Sequence, residues 1–190
     1  MNLVIFGPPG AGKGTQSGYI AKKLKLYQLS TGELLRNEIK NNTNLGKQIS
    51  STINSGNLVS NEIVSNLIEK YLSDKTYQNR IIFDGYPRTL TQAQTLNDSM
   101  IKYNQKIHIA LRLTVSLDTI IKRIKERSAL EKRDDDSEEI AIKRYETYEK
   151  NIKPVIDFYN QSNLLKVVNG ESSIIEINNE ISALIESIKG

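Results

Sequence analysis

The residues most suited to chemistry lie near the start of the chain, in a loop with four glycines and one lysine. The loop reads Gly-Pro-Pro-Gly-Ala-Gly-Lys-Gly-Thr over residues 7–15 and follows an apolar run at residues 3–6. Glycines let backbone N–H groups come close to a phosphate chain, because no Cβ blocks the approach. A helix starting after the loop adds its unpaired N–H groups and positive dipole end. We therefore predict a phosphate-binding loop in which Lys13 supplies a positive charge.

The loop departs at one position from the usual phosphate-loop pattern G-x-x-x-x-G-K-[ST]. Gly7, Gly12 and Lys13 match the pattern, but Gly14 stands where Ser or Thr is expected, and Thr15 comes one place later. The hydroxyl at that position is the usual protein ligand of Mg²⁺. If the loop binds a magnesium nucleotide, another oxygen must therefore hold the metal.

Composition limits the possible classes of function. The chain has 190 residues with no Cys and one His, which excludes a disulfide framework and a Cys/His zinc site. No apolar run approaches the roughly 20 residues needed to span a bilayer, and no signal peptide is evident, so we expect a cytoplasmic protein without membrane contacts. The net charge is +4, but basic and acidic residues are interleaved, so we expect no nucleic-acid partner.

Apolar runs of strand length alternate with amphipathic segments of helix length along the whole chain. This alternation predicts an α/β fold with a five-stranded parallel sheet and helices on both faces. The predicted strands are residues 3–6, 27–29, 81–83, 107–113 and 164–168. The first three run into polar loops. Because the carboxyl ends of parallel strands meet at one edge of the sheet, we expect these loops to converge there.

Two segments stand apart from this alternation. Residues 30–59 read as a helical hairpin with little apolar material, which begins with a Ser-x-x-Glu capping pattern. A later helix is predicted over residues 117–127, followed by a very short connection at 128–132. The acidic residues 134–136 then fit the capped start of another helix.

Four motifs in this order resemble the adenylate kinases, and the resemblance covers nearly the whole chain. The motifs are G-P-P-G-A-G-K-G-T-Q at 7–16, L-S-T-G-E-L-L-R at 29–36, D-G-Y-P-R-T-L-T-Q-A at 84–93, and R-D-D-D-S-E-E ending in K-R within 133–144. The resemblance implies transfer of the γ-phosphoryl group from MgATP to AMP, giving two ADP. It also implies a monomer, with ATP, AMP and ADP as its small-molecule partners.

The resemblance further implies a division of the chain into three parts. Residues 1–29, 60–126 and 135–190 would form a P-loop NTPase-type core, residues 30–59 a small AMP-binding insert, and residues 127–134 a lid. The lid would be of the short type, which binds no zinc. The implied cofactor of the reaction is Mg²⁺.

The family's site residues carry over by matching positions. The residues implied at ATP are Gly10, Ala11, Gly12, Lys13, Gly14, Thr15, Arg123, Arg127 and Ser172. The residues implied at AMP are Thr31, Arg36, Asn57, Leu58, Val59, Gly85, Tyr86, Pro87, Arg88, Gln92, Arg133 and Arg144. The residues implied in catalysis are Lys13, Asp84, Arg88, Arg123, Arg133 and Arg144, and Asp84 would hold Mg²⁺ through water.

The residue types suit the implied chemistry, because phosphoryl transfer depends on positioning and on stabilisation of negative charge.

Two alternatives stay open at this point. UMP/CMP kinases share the scaffold but resemble L-S-A-G at the first acceptor position and carry Asn near the second, where this chain has Thr31 and Gln92. A catalytically silent nucleotide-binding module is the other alternative.

Overall fold

The computed structural model describes residues 1–131 and 137–188 and places five strands in one sheet. The strands are β1 (Asn2–Phe6), β2 (Tyr27–Ser30), β3 (Ile81–Asp84), β4 (Ile107–Thr114) and β5 (Leu165–Asn169). Their order is β2-β3-β1-β4-β5, and every neighbouring pair is parallel. The predicted five-stranded parallel sheet is thus confirmed.

Helices cover both faces of this sheet. In the described residues they are α1 (Lys13–Leu24), α2 (Thr31–Lys40), α3 (Asn44–Asn54), α4 (Asn61–Ser73), α5 (Leu90–Lys102), α6 (Leu117–Glu131), α7 (Glu138–Gln161) and α8 (Ile174–Ser187), with a 3₁₀ turn at Lys75–Tyr77. None of these helices is long and apolar enough to cross a bilayer, a finding that covers the described residues only.

The alternation of side chains along β1 explains the two layers of core. Leu3 and Ile5 point to one face and pack with buried residues of α1 and α8. Val4 and Phe6 point to the other face and pack with α4, α5 and α7. Because both faces of the sheet are buried, β1 is apolar at nearly every position and its five residues are all buried.

Helices α2 and α3 form the predicted hairpin. Ser30 caps α2 by accepting a hydrogen bond from the Glu33 N–H (3.4 Å), and Thr43 caps α3 through the Gly46 N–H (2.9 Å). Gly46 is buried where the two helices meet, and a Cβ at this position would overlap the Glu38 carbonyl group. The hairpin therefore depends on backbone contact at Gly46 as well as on apolar packing.

The connection after α6 differs from the prediction. We expected this helix to end at Arg127, but α6 continues to Glu131. The expected connection at 128–132 is therefore helical over at least its first four residues. The predicted acidic cap at 134–136 lies outside the described residues, and Ser137 caps α7 by accepting from the Ile140 N–H (3.2 Å).

We predict that Gly46→Ala destabilises the protein. Alanine is favoured over glycine in a helix by about 1 kcal/mol, but overlap with a backbone carbonyl costs about 1–3 kcal/mol. We therefore expect a net loss in the free energy of unfolding, measured by urea denaturation. Lys47→Ala, at the exposed neighbouring position, is the control and should change it by less than about 0.5 kcal/mol. Equal stability of the two variants would contradict the proposed contact.

Candidate active site

The glycine loop lies between β1 and α1, as the sequence predicts. Gly10 and Gly12 have positive φ values of 77° and 89°, which glycine adopts without strain. Gly10 lies against α6, since a Cβ there would be 3.2 Å from Ile124 Cγ1 and 3.3 Å from the Ile120 carbonyl oxygen. The loop is thus held in place by α6 as well as by its own backbone.

Lys13 begins α1 and its ammonium group lies over the loop. Its Nζ donates hydrogen bonds to the carbonyl oxygens of Gly7 (2.9 Å) and Pro8 (2.8 Å). The pKa of Lys13 is lowered to about 8, chiefly by burial; Asp84 raises it, and the arginines at 88, 127 and 144 add smaller lowering effects. These neighbours show that the lysine shares its surroundings with other cations.

Asp84 is the last residue of β3 and is buried beside the loop. Its Oδ2 accepts a hydrogen bond from Gln28 Nε2 (2.9 Å), which fixes the orientation of the carboxylate. A Cβ at Gly14 would lie 3.7 Å from the same oxygen, so the absence of a side chain at Gly14 leaves room next to Asp84.

These residues fit a magnesium ion. Mg²⁺ prefers hard oxygen ligands and is usually bound through one or two carboxylates, nucleotide phosphates and water. Asp84 supplies one carboxylate at the edge of the phosphate loop, and the described residues contain no group of three or more acidic, His or Cys side chains that would make a complete protein cage. The donor set therefore suits a metal that arrives with a nucleotide.

The loop after β3 shapes the other side of the site. A cis peptide bond joins Tyr86 to Pro87. The Gly85 carbonyl oxygen accepts hydrogen bonds from Arg88 Nε (2.8 Å) and Thr31 Oγ1 (3.2 Å). Gln92 Oε1 accepts from the Arg88 N–H (2.7 Å). Arg88 is thus held at its main chain by the Gln92 side chain and at its side chain by the Gly85 backbone.

The glycine loop, Lys13, Asp84 and Arg88 border one cavity of about 770 Å³ at the carboxyl edge of the sheet. Five arginines line it together with Lys13. They come from α2, from the loop after β3, from α6 and from α7: Arg36, Arg88, Arg123, Arg127 and Arg144. Arg123 donates a hydrogen bond to the Gly170 carbonyl oxygen (2.8 Å), which fixes it beside the loop that follows β5. The cavity is therefore suited to a polyanion.

The structure brings most of the predicted site residues to this cavity. Those that line it are Gly10, Ala11, Gly12, Lys13, Gly14, Thr15, Arg36, Asn57, Leu58, Val59, Asp84, Gly85, Pro87, Arg88, Arg123, Arg127, Arg144 and Ser172. Thr31, Tyr86 and Gln92 are buried behind the lining, and Arg133 lies outside the described residues. Position at the cavity does not test their individual roles, which stay predictions.

Several lining residues escaped the sequence analysis. Tyr148 and Ile152 follow Arg144 by four and eight residues on α7 and line the same cavity. Residues spaced by four share a face of a helix, so this spacing was a usable signal. Gln28 is two residues before Ser30 on β2 and therefore on the same face of the strand. Since Ser30 pairs with Asp84, that alternation also placed Gln28 near the carboxylate.

The hairpin of α2 and α3 also approaches α7. Gly56, which follows α3 and has a φ of 73°, would place a Cβ 3.4 Å from both Arg144 Cγ and Ile140 Cγ2. The end of the hairpin therefore approaches the helix that carries Arg144.

A comparison with known protein families decides the assignment. A family model described as adenylate kinase matches residues 5–164, which is most of the chain. The chain belongs to the adenylate kinase family. Proteins named adenylate kinase from Pelagibacter ubique, Cyanothece sp. and Archaeoglobus fulgidus are 41%, 36% and 34% identical to it, respectively.

These alignments cover almost all of each protein. They span 98%, 99% and 100% of this chain and 100%, 96% and 100% of the three relatives. The alignments with the Pelagibacter and Archaeoglobus proteins run over 212 and 216 residues, more than the 190 of this chain. Some members of the family thus contain residues that this chain lacks.

We predict that ATP affinity falls as the pH rises above about 8. Lys13 with a pKa of about 8 is charged below that pH and loses its proton above it, whereas a bound polyphosphate favours the charged form. The dissociation constant, measured by isothermal titration calorimetry, should rise by up to about tenfold per pH unit, with proton uptake on binding.

The control is Lys13→Arg, because a guanidinium group stays charged throughout this pH range. The ATP affinity of this variant should not fall as the pH rises above about 8, even if the affinity differs from that of the unmodified protein. The assignment of the pKa to Lys13 fails if the arginine variant keeps the same pH dependence as the unmodified protein.

Proposed function

We propose that this chain catalyses reversible transfer of the γ-phosphoryl group from MgATP to AMP, giving two ADP. The observation that carries the proposal is the convergence of six cationic side chains on one cavity, in a chain of the adenylate kinase family. Two nucleotides brought together through their phosphates carry a high negative charge, and such a cavity balances it.

We assign the donor to the side of the cavity formed by the glycine loop and α6. The loop backbone and Lys13 would hold the β- and γ-phosphates of ATP, while Arg123 and Arg127 project from α6 beside them. Ser172 lies nearby in the loop after β5. The contact of Gly10 with Ile120 and Ile124 supports this grouping, because it joins the loop to the helix that carries both arginines.

We assign the acceptor to the side formed by the hairpin and the loop after β3. Arg36 and Arg88 would hold the AMP phosphate, since a guanidinium group can bind two phosphate oxygens at once. Leu58 and Val59 supply apolar lining, with Leu35 and Ile53 of the hairpin beside them. This arrangement suits a flat base next to a phosphate.

Magnesium, when bound with ATP, would neutralise charge on the β- and γ-phosphates. Asp84 would hold it through water. Gln28 keeps the carboxylate of Asp84 oriented, and Arg144 and Arg133 would close over the transferred group. No protein nucleophile is needed in this reaction, because the acceptor phosphate attacks directly.

The division into a core at residues 1–29, 60–126 and 135–190, an AMP-binding insert at 30–59 and a short lid at 127–134 stays a prediction. The hairpin geometry of α2 and α3 supports the insert. The four helical residues after Arg127 indicate that a lid would begin later than we expected. A monomer in the cytoplasm, without a nucleic-acid or membrane partner, also stays a prediction.

The function is tested by a coupled assay for ADP formation with AMP, UMP or CMP as acceptor, with and without Mg²⁺. We expect activity with AMP and Mg²⁺ and much less with either pyrimidine nucleotide. Higher activity with UMP or CMP would assign the chain to the alternative acceptor class. Nucleotide binding without turnover would indicate the silent module.

We predict that Arg88→Ala lowers turnover at least about a hundredfold and leaves the melting temperature nearly unchanged. An arginine at a phosphoryl-transfer centre contributes roughly 10³–10⁵ in rate, whereas an exposed side chain contributes little to stability. The assay above and thermal unfolding give the two quantities. Arg80→Ala is the matched control on the opposite edge of the sheet, where Arg80 precedes β3, and it should keep its turnover. A variant at Arg88 with most of its activity would refute this role.

A further inference from the structure

A single Asn-Gly dipeptide occurs in the sequence, at residues 169 and 170. In such a pair the glycine leaves its backbone nitrogen open to attack the side-chain amide of the asparagine. Asn169 is the last residue of β5, which lies at one end of the sheet, and its side chain is exposed. The dipeptide is therefore at the end of an edge strand and in contact with solvent.

One hydrogen bond near Asn169 favours attack of the Gly170 nitrogen on the side-chain amide, and another opposes it. Asn169 Oδ1 accepts a hydrogen bond from the Glu171 N–H (3.1 Å), so the side chain lies along the chain past Gly170. The Gly170 N–H donates to the Thr114 carbonyl oxygen (2.9 Å) and is restrained while that bond holds. The bond is at the end of an edge strand, where local opening costs less free energy than global unfolding.

We propose that Asn169 is a site of spontaneous deamidation, and that its isoaspartyl product weakens binding of the donor nucleotide. The Gly170 nitrogen loses its proton and bonds to the Asn169 Cγ, while the side-chain nitrogen leaves as ammonia. Water then opens the resulting five-membered succinimide. Opening at one carbonyl gives aspartate, and opening at the other gives isoaspartate, in which the main chain runs through the former side chain and is one methylene longer.

Gly170 is closely packed, so a longer main chain at residue 169 would have to displace Gly170 or its neighbours. A Cβ placed there would lie 2.6 Å from Val115 Cγ2, 3.1 Å from the Thr114 carbonyl oxygen and 3.5 Å from the Ala11 carbonyl oxygen. Ala11 belongs to the phosphate loop. Displacement of Gly170 would therefore disturb the phosphate loop as well as the end of β5.

The same segment holds α6 in position. The Gly170 carbonyl oxygen accepts from Arg123 (2.8 Å). The Glu171 carboxylate accepts from the Ser116 N–H (2.6 Å) and from Thr119 Oγ1 (2.7 Å) at the start of α6. An added methylene at Asn169 shifts both anchors. The effect on ATP rests on the donor assignment made above, in which Arg123 contacts ATP.

The test is ageing of the full-length chain in mildly alkaline buffer, folded and in urea, followed by peptide mass spectrometry that distinguishes isoaspartate from aspartate. We expect isoaspartate at 169 to accumulate in the folded chain, more slowly than in the unfolded chain. The separated isoaspartyl protein should bind ATP at least about tenfold more weakly and bind AMP within about twofold of the fresh protein.

Two variants separate the effect of the added charge from the effect of the longer main chain. Asn169→Asp adds the charge but keeps the acceptor oxygen and the main-chain length, so fresh Asn169→Asp should bind ATP within about threefold of the unmodified protein. Asn169→Gln closes the ring far more slowly, so it should keep its ATP affinity on ageing.

Either of two results overturns the proposal. The first is no isoaspartate at 169 in the folded chain by the time the unfolded chain is fully converted. The second is an isoaspartyl protein with unchanged ATP affinity. The fresh Arg123→Ala variant tests the donor assignment separately. If this variant binds ATP as tightly as the unmodified protein, the donor assignment is wrong, and the predicted effect of isoaspartate on ATP binding falls with it.

Discussion

Repulsion among the six cations around the cavity is the constraint that the rest of the structure has to balance. Two unit charges about 4 Å apart near a protein surface interact by roughly 4 kcal/mol. The pKa of Lys13 is lowered mainly by burial, and Arg88, Arg127 and Arg144 contribute to the lowering. Lys13, Arg88 and Arg123 each donate to backbone carbonyl oxygens, those of residues 7, 8, 85 and 170. A carbonyl group carries no net charge, so these hydrogen bonds position the cations without adding a negative charge to the site.

The parallel sheet makes this arrangement possible. The carboxyl ends of β1, β2 and β3 lie side by side, because Ile5 pairs with Asp84 and Asp84 pairs with Ser30. The loop with Lys13, the start of α2 and the loop with Arg88 all leave from these ends. The remaining arginines come from α6 and α7, so one edge of the sheet and two helices enclose the site.

Much of this was predictable from the sequence, because strand periodicity and glycine spacing are local signals. The end of α6 was not predictable in this way. Residues 128–131 (Ser-Ala-Leu-Glu) contain neither glycine nor proline, so no local signal marks where the helix stops. The hydrogen bond from Gln28 to Asp84 and the bonds from cations to carbonyl oxygens depend on tertiary contacts between residues distant in the chain. A motif can name Lys13 and Asp84, but it cannot show what orients them.

The phase of α6 has a consequence for variation in chain length. Each residue of an α-helix turns the next by about 100°, so an insertion between Ile120 and Arg127 would rotate one of these side chains away from the loop or the cavity. Residues added beyond Glu131 would leave both the Gly10 contact and the two arginines in place. The number of residues between α6 and α7 can thus change while the cavity residues on both helices keep their positions. In a family with longer members, this connection is a place where extra residues can be inserted.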